Sequence, residues 1–412
     1  MTDDVPLRRG RGALGLSFFA QGVAFALLVT RIPAIQDRYG ISDGLLPVFL
    51  AAVPVLAGVS SVATEHLVKR VAPSVVLRWT QPLVLLSLLG VGAGSRMWHV
   101  ALALGAFGLA VGALDASMNM LGVSLQQAYG RSIMLGFHAV YSLGGIVGAS
   151  AAWAGAHWRL DLFVSYLPAV AVLLPLTLFG SRSYVDRPGR DGVPDGAVGK
   201  GLGPGGFALL LPLCLVMACA YIGDSTVANW SAKYLQDVLG SSEQLATVPY
   251  TVYMVTTLVG RAVGDLGVRR FGAAAVVRGG AVVAASGFAV VAAAPGPWVG
   301  MLGFTLLGLG LCVIVPQTFA AAGRAFADRG PGASDAAIAR LNIFNYVGFL
   351  IGSPLVGGIG DAWSYRGAML VPMVLVLITL FYARSFGPKP ARYGVGHERA
   401  RAVDVGRSGH GV

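Results

Sequence analysis

Charged residues are scarce in this sequence. Asp, Glu, Lys and Arg make up 12% of its 412 residues, whereas a soluble globular protein carries roughly 25%. Hydrophobic residues make up 55% of the chain. So few charges exclude an ordinary soluble protein, and the composition predicts an integral membrane protein.

Cysteine is equally rare. The chain has three cysteines, Cys214, Cys219 and Cys312, and each lies inside an apolar run. They have neither the spacing of metal ligands nor the look of a disulfide framework, so the sequence predicts buried, inert thiols. No metal site and no cofactor are predicted.

The sequence also lacks the motifs of several enzyme classes. It has no G-x-x-x-x-G-K-[ST] phosphate loop, no H-E-x-x-H zinc motif and no nucleophile elbow in a strand–turn–helix context. These absences argue against an ATP-driven pump and predict that the chain is not an enzyme.

The net charge of +11 is the one feature that would suit a nucleic-acid partner. The basic residues, however, are scattered at the ends of apolar segments, which is where the positive-inside rule places them. We therefore expect no nucleic-acid partner, and a lipid bilayer instead.

Long apolar runs dominate what is present. A bilayer core needs roughly 20 helical residues, and by that measure the sequence predicts an all-α protein with twelve transmembrane spans. A stretch rich in Gly, Pro and charge divides six spans from six. The predicted segments are a cytoplasmic N-terminus at 1–12, a six-helix bundle at 13–181, a linker at 182–205, a second bundle at 206–386 and a disordered tail at 387–412.

Charge asymmetry predicts the orientation. Most Lys and Arg residues fall on the side that carries both termini, so we expect both termini in the cytoplasm of a multi-pass cell-membrane protein. The first apolar stretch is too long for a signal peptide and has no small-residue cleavage site, so it is interpreted as the first span.

An internal repeat relates the two halves. When the chain is shifted by 200 residues, Val68–Arg78 lies over Val268–Arg278, with Val, Arg, Val and Arg matched at four positions. Two six-helix halves of the same orientation are typical of transporters with parallel repeats, whose substrate site lies near the midplane between the halves.

The cleaner copy of the repeat, Gly260–Arg278, resembles the cytoplasmic loop motif of the major facilitator superfamily. There G-x-x-x-D-R-x-G-R-R follows the second span and is echoed after the eighth. The resemblance implies a cytoplasmic gate made by Arg261, Gly264, Asp265, Arg269, Arg270 and Gly272. The first copy, beginning at Glu65, lacks both the aspartate and the glycine, so the pattern does not predict an equivalent latch in the first half.

Leu114–Val123, LDASMNMLGV, is similar to the fourth span of the fucose–proton symporter branch and its relatives of unassigned substrate. That pattern is a carboxylate, three residues and an asparagine. The similarity continues through Gly136–Ala149 and Gly223–Leu235. One departure matters: the branch has an aspartate just before an Ile-Pro pair in the first span, whereas here Arg31 precedes Ile32-Pro33.

Polar groups at membrane depth are costly and are therefore functional candidates. Asp115 and Asn119 share one helical face, and His138 lies at a similar depth, which suits an Asp115–His138 proton relay. The alternative is that these groups only hold neighbouring helices together by hydrogen bonds. Asp224 is the second intramembrane carboxylate, and Arg31 lies at a comparable depth. We hypothesise an Arg31–Asp224 ion pair, and the alternative is that Arg31 extends to the lipid headgroups.

Further candidates for the substrate cavity are Tyr141, Tyr221, Gln317, Asn342 and Asn345. Each has an alternative interpretation as packing or as a hydrogen bond between helices.

The sequence therefore predicts a monomeric secondary-active transporter that moves a small organic solute by alternating access, coupled to protons through Asp115 or Asp224. Uptake of a sugar-like metabolite follows from the resemblance, and efflux of a drug or secondary metabolite is the first alternative. The second is a non-transporting sensor or scaffold with the same fold.

Overall fold

The computed structural model describes residues 4–42, 45–186, 204–242, 245, 248–329 and 332–387. Within these ranges the protein is helical throughout and has no strand. The helices of the first half are α1 (Asp4–Thr30), α2 (Ile32–Tyr39), α3 (Leu46–Leu67), α4 (Pro73–Ala93), α5 (Met97–Tyr129), α6 (Met134–His157) and α7 (Leu162–Gly180).

The second half begins with α8 (Pro204–Lys233), which continues as a π-helical turn over Tyr234–Val238. It is followed by α9 (Val248–Phe271), α10 (Ala273–Ala293), α11 (Pro297–Leu311), α12 (Ile314–Phe326), α13 (Ala333–Ala362), α14 (Tyr365–Ala368) and α15 (Leu370–Tyr382). The tenth span is the pair α11 and α12, and the twelfth is the pair α14 and α15.

The predicted fold class is confirmed. Ten helical segments in the described residues are long and apolar enough to cross a membrane, and α3 adds a shorter apolar segment, Ala51–Leu67. The eighth span, α9, is less apolar because it carries Arg261, Asp265, Arg269 and Arg270. Most of the predicted linker, 187–203, and the tail from 388 onward lie outside the described residues.

The first helix, α1, ends at Thr30, and a break at Arg31 separates it from α2. Pro33 stands in the first turn of α2, where its missing N–H costs nothing and its fixed φ favours a new helix. The short helix α2 then ends at Gly40, whose φ of 62° is readily adopted by glycine.

Packing within each half repeats. In the first half α1 packs on α6, α3 on α5 and α4 on α5, and in the second half the corresponding pairs are α8 with α13, α9 with α11 and α10 with α11. Small residues permit the close approach: a Cβ on Gly144 would lie 2.2 Å from the Phe19 carbonyl oxygen, and one on Gly348 would lie 2.4 Å from that of Ala218.

The halves meet through two equivalent helix pairs, α3 with α13 and α6 with α9, and α5 also touches α12 and α13. We call the face on which α1 begins the termini side and the opposite face the distal side. The polar residues at this interface define the candidate site.

Candidate functional site

Asp115 lies on α5 near the middle of the bundle and joins the two halves. Its carboxylate accepts a hydrogen bond from Gln21 Nε2 at 2.6 Å and from Tyr346 Oη at 2.8 Å. Gln21 belongs to the first half and Tyr346 to the second. Asp115 is only partly buried, so it also faces accessible space between the halves.

No direct hydrogen bond joins His138 to Asp115 among the described residues, and the predicted proton relay stays a prediction. Its Nε2 lies 3.3 Å from Asn119 Oδ1, and Asn119 Nδ2 in turn donates to the main-chain oxygen of Asp115 at 2.9 Å. The His138 ring lies between Phe18 and Phe319, at centroid distances of 5.4 and 6.3 Å. Any link between the two titratable groups therefore passes through Asn119.

The predicted ion pair between Arg31 and Asp224 is also absent among the residues that the structure describes. Arg31 donates to the carbonyl oxygens of Ala152, at 3.4 Å, and Leu160, at 3.2 Å, both in its own half. Asp224 accepts a hydrogen bond from the hydroxyl of Tyr253, and both residues belong to the second half. Arg31 and Asp224 do lie at similar depths in the distal half of the bundle, but the Arg31 side chain points away from the interface between the halves.

Tyrosines surround the two carboxyl groups. Tyr141 and Tyr221 each lie within electrostatic range of both Asp115 and Asp224. The rings of Tyr250 and Tyr253 stack at 6.2 Å. Tyr141 and Tyr221 are partly exposed, in keeping with their prediction as residues lining a cavity.

Of the three amide candidates, Asn345 lies beside Asp115, within hydrogen-bonding range of its carboxyl group. Gln317, Asn342 and Asn345 are buried, at 0%, 0% and 3% exposure. Asn342 Nδ2 donates to Ser61 Oγ at 3.1 Å, and Asn345 donates to Asn342 Oδ1 at 2.9 Å. In this conformation Asn342 and Asn345 connect α13 to α3, and Asn345 also adjoins the carboxyl group of Asp115.

The predicted gate residue Asp265 connects α9 to the first half. Its carboxylate accepts from Ser132 Oγ at 2.6 Å and from the backbone N–H of Gly136 at 2.9 Å. Arg269 donates to the Ser132 carbonyl oxygen at 3.0 Å. We call this set the Asp265 latch.

The glycines of the motif serve the same contact. A Cβ on Gly264 would lie 2.7 Å from Cδ2 of Leu135, so its absence lets α9 approach α6. Gly272 has φ 82° and begins α10 after the turn. Arg270 lies over the ring of Phe271. Arg261 reaches α6 rather than Asp265, so an i,i+4 pair between them is not formed.

A second latch, which the sequence did not predict, joins α3 to α13. Arg340 donates to both carboxylate oxygens of Glu65, at 2.9 and 2.8 Å, and Glu65 is 1% exposed. We call this ion pair the Glu65 latch. The repeat contained the signal, since the 200-residue shift places Glu65 over Asp265.

The 200-residue shift also relates a further pair of contacts between the halves. Ser61 Oγ donates to the Gly112 carbonyl oxygen and accepts from Asn342. Arg261 donates to the Cys312 carbonyl oxygen, at 3.4 Å, and to Ser142 Oγ, at 2.7 Å. Each position of one set is 200 residues from its counterpart in the other.

Beyond the latches, α5 and α12 lie in direct contact. A Cβ on Gly323 would lie 2.1 Å from Cγ1 of Val123, and Gln127 Nε2 donates to the Gly323 carbonyl oxygen at 3.3 Å. Every contact between the halves described here lies at the level of Asp115 or on the termini side. The structure is therefore closed on the termini side.

Two six-helix halves that meet around a partly buried carboxyl group form the parallel-repeat architecture that membrane transporters use. Residues 213–407 match the family model of the Major Facilitator Superfamily. The matched residues make up just under half of the chain, and they are similar to members of this superfamily.

Curated relatives and solved structures show the same similarity to transporters of the Major Facilitator Superfamily. An uncharacterized MFS-type transporter of Yersinia pestis is 27% identical over 371 residues, which cover 90% of this chain and 94% of the relative. The crystal structure of the MFS transporter FucP in its outward conformation has a TM-score of 0.77 at 17% identity, covering 91% of this chain and 98% of FucP. The human organic anion transporter MFSD10 has a TM-score of 0.77 at 14% identity, covering 92% and 99%. At these identities the two structures show a shared fold.

Proposed function

We propose that the protein is a proton-coupled, secondary-active transporter of a small organic solute and that Asp115 is the coupling residue. The observation that carries the proposal is the position of Asp115 between the halves, with Gln21 of one half and Tyr346 of the other donating to the same carboxylate.

The chemistry of the carboxyl group explains how a proton would act on the fold. Hydrogen bonds to an ionised acceptor are roughly twice as strong as those between neutral groups. Protonation of Asp115 removes the charge and weakens its bond to Tyr346, and so loosens α13 from α5. Burial at this depth in turn penalises the ionised form unless these donors remain in place. Proton binding and the arrangement of the halves are thus coupled reciprocally.

The orientation and the direction of transport are two parts of this proposal. With both termini in the cytoplasm of the cell membrane, as the distribution of basic residues favours, the closed termini side faces the cytoplasm. Importers and exporters both pass through such a state, so the direction is inferred from the sequence: the similarity to the fucose–proton symporter branch supports uptake of a sugar-like metabolite, and the missing first-span carboxylate supports the alternative, efflux.

The test uses the purified full-length protein in liposomes that contain a pH-sensitive dye. Candidate hexoses, polyols and amines are added outside, and the internal pH is followed. We expect proton movement that depends on one of these solutes, and its loss in Asp115→Asn. Asp237→Asn is the matched control, because Asp237 is an exposed carboxyl group paired with Lys233.

Two outcomes contradict the proposal. Solute uptake without proton movement would exclude proton coupling. Full proton movement in Asp115→Asn would exclude Asp115 as the coupling residue.

A further inference from the structure

Asp224 is the intramembrane carboxyl group for which the coupling scheme has no use. It lies on α8, on the distal side of Asp115, and it is partly exposed. Tyr253 donates to Oδ1. This hydrogen bond uses one carboxylate oxygen, and the residue as a whole keeps some accessible surface.

Several tyrosines lie near this carboxyl group. Tyr253 bonds to it, Tyr250 stacks on Tyr253, and both Tyr141 and Tyr221 are within electrostatic range of it. The face of an aromatic ring carries negative charge and attracts cations. Four tyrosines and a carboxylate are the chemistry that recognises an ammonium group, whereas a neutral hydroxyl group gains little from the ring faces.

The charge balance also favours a cation. Arg261 is the positive group within electrostatic range of Asp224, but its guanidinium donates to Ser142 and to two carbonyl oxygens nearer the termini side. The Arg261 guanidinium is therefore engaged in these hydrogen bonds and not in an ion pair with Asp224. Asp115 and Asp224 together outnumber it, which leaves the space between the halves acidic when both carboxyl groups are ionised.

We propose that Asp224, with Tyr141, Tyr221, Tyr250 and Tyr253, forms a binding site for the protonated amine of the transported solute. The inference rests on the proposed function, transport of a small organic solute, and it names a small organic amine as that solute in place of a neutral sugar-like metabolite. In this scheme Asp115 remains the group that binds and releases the coupled proton, and Asp224 binds the cationic group of the solute.

The test compares probes that match in shape and differ in charge. Cyclohexylamine is paired with cyclohexanol, and benzylamine with benzyl alcohol, because both amines are cationic at pH 7. Purified full-length protein in lipid nanodiscs is heated with each probe, and binding is measured as the concentration that raises the unfolding temperature. We expect at least one amine to act at a concentration at least about tenfold lower than its alcohol.

Variants assign the effect to the carboxyl group. Asp224→Asn is expected to remove the preference for the amine and to leave the alcohol unchanged, whereas Asp224→Glu keeps the preference because it keeps the charge. Asp237→Asn is the surface control. The unfolding temperature of each variant without probe shows whether it is folded, and the Glu variant still tests the charge if the Asn variant is not.

Equal binding of amine and alcohol, no stabilisation by either amine, or an unchanged preference in Asp224→Asn would overturn the inference. The measurement needs no gradient, so it is independent of proton coupling. A protein that binds amines but moves no protons would contradict the proposed coupling alone. Proton-driven uptake of neutral solutes only would contradict the amine site alone.

Discussion

The two halves close the termini side with a carboxyl group at the same place in the repeat, but its partners differ. Glu65 in the first half receives both hydrogen bonds from one guanidinium, that of Arg340. Asp265 in the second half receives them from a hydroxyl group and a backbone N–H. Both halves therefore have a carboxylate that accepts hydrogen bonds from the other half. Its donor is a cation for Glu65, whereas the donors for Asp265 are neutral.

This difference has an energetic consequence. A buried ion pair gains little over neutral packing when intact, because desolvation offsets the attraction, but it is costly to break on one side only. A carboxylate bound by neutral donors carries a smaller penalty when it is lost. The Glu65 latch should therefore be the more sensitive of the two to removal of a single partner.

The largest expected effect comes from Arg340→Ala. It leaves Glu65 buried without a cation, which costs about 3–5 kcal/mol and disfavours closure of the termini side. Spin labels at His66→Cys and Leu266→Cys, two exposed positions in opposite halves, would report this as a longer distance in reconstituted protein. The native cysteines are buried, so labelling is selective for the new positions.

The matched control for this variant is the double change Arg340→Ala with Glu65→Gln. Without the negative charge the remaining side chain is less costly to bury, so we expect the label distance to return toward that of the wild type. A distance in Arg340→Ala that equals the wild-type distance would show that the ion pair does not hold the closed side.

Asp265→Ala is expected to have a smaller effect. It leaves Ser132 Oγ and the Gly136 N–H without their acceptor, which costs about 1–3 kcal/mol. The same pair of labels measures the opening. An effect larger than that of Arg340→Ala would reverse the comparison and assign the main closing contact to the second half.

The third contact should give the smallest change. Ser142→Ala removes one acceptor of Arg261, and Ser61→Ala removes the corresponding acceptor of Asn342. Each costs about 0.5–1.5 kcal/mol. We expect a small and similar increase in the label distance for both variants. If only Ser142→Ala opens the termini side, the charge on Arg261 makes the two contacts unequal despite their shared place in the repeat.

The fold was predictable from the sequence because it depends on the lengths of apolar runs and on one recognisable repeat. The Asp265 latch was predictable for a similar reason, since its aspartate, arginines and glycines are close together in the chain. Asp115 and Asp224 stand out because a carboxyl group at membrane depth is costly.

The side-chain pairings were harder to predict from the sequence. Glu65 and Arg340 are 275 residues apart, and nothing local connects them. Arg31 and Asp224 do lie at similar depths, but depth does not show which way a helix face points, and the break at Arg31 turns its side chain toward Ala152 and Leu160. The repeat is the better guide, because the 200-residue shift relates Glu65 to Asp265 and Ser61 to Arg261.

The contact of Gly323 with Val123 has a consequence for the energetics of the whole cell. In the proposed orientation the termini side faces the cytoplasm, and a continuous chain of water molecules through it would let protons leak across the membrane. The close contact between the Gly323 backbone and the Val123 methyl group leaves no room for water at that point, and the Gly323 carbonyl oxygen beside it already accepts a hydrogen bond from Gln127. A contact of this kind would limit proton leak while the termini side is closed.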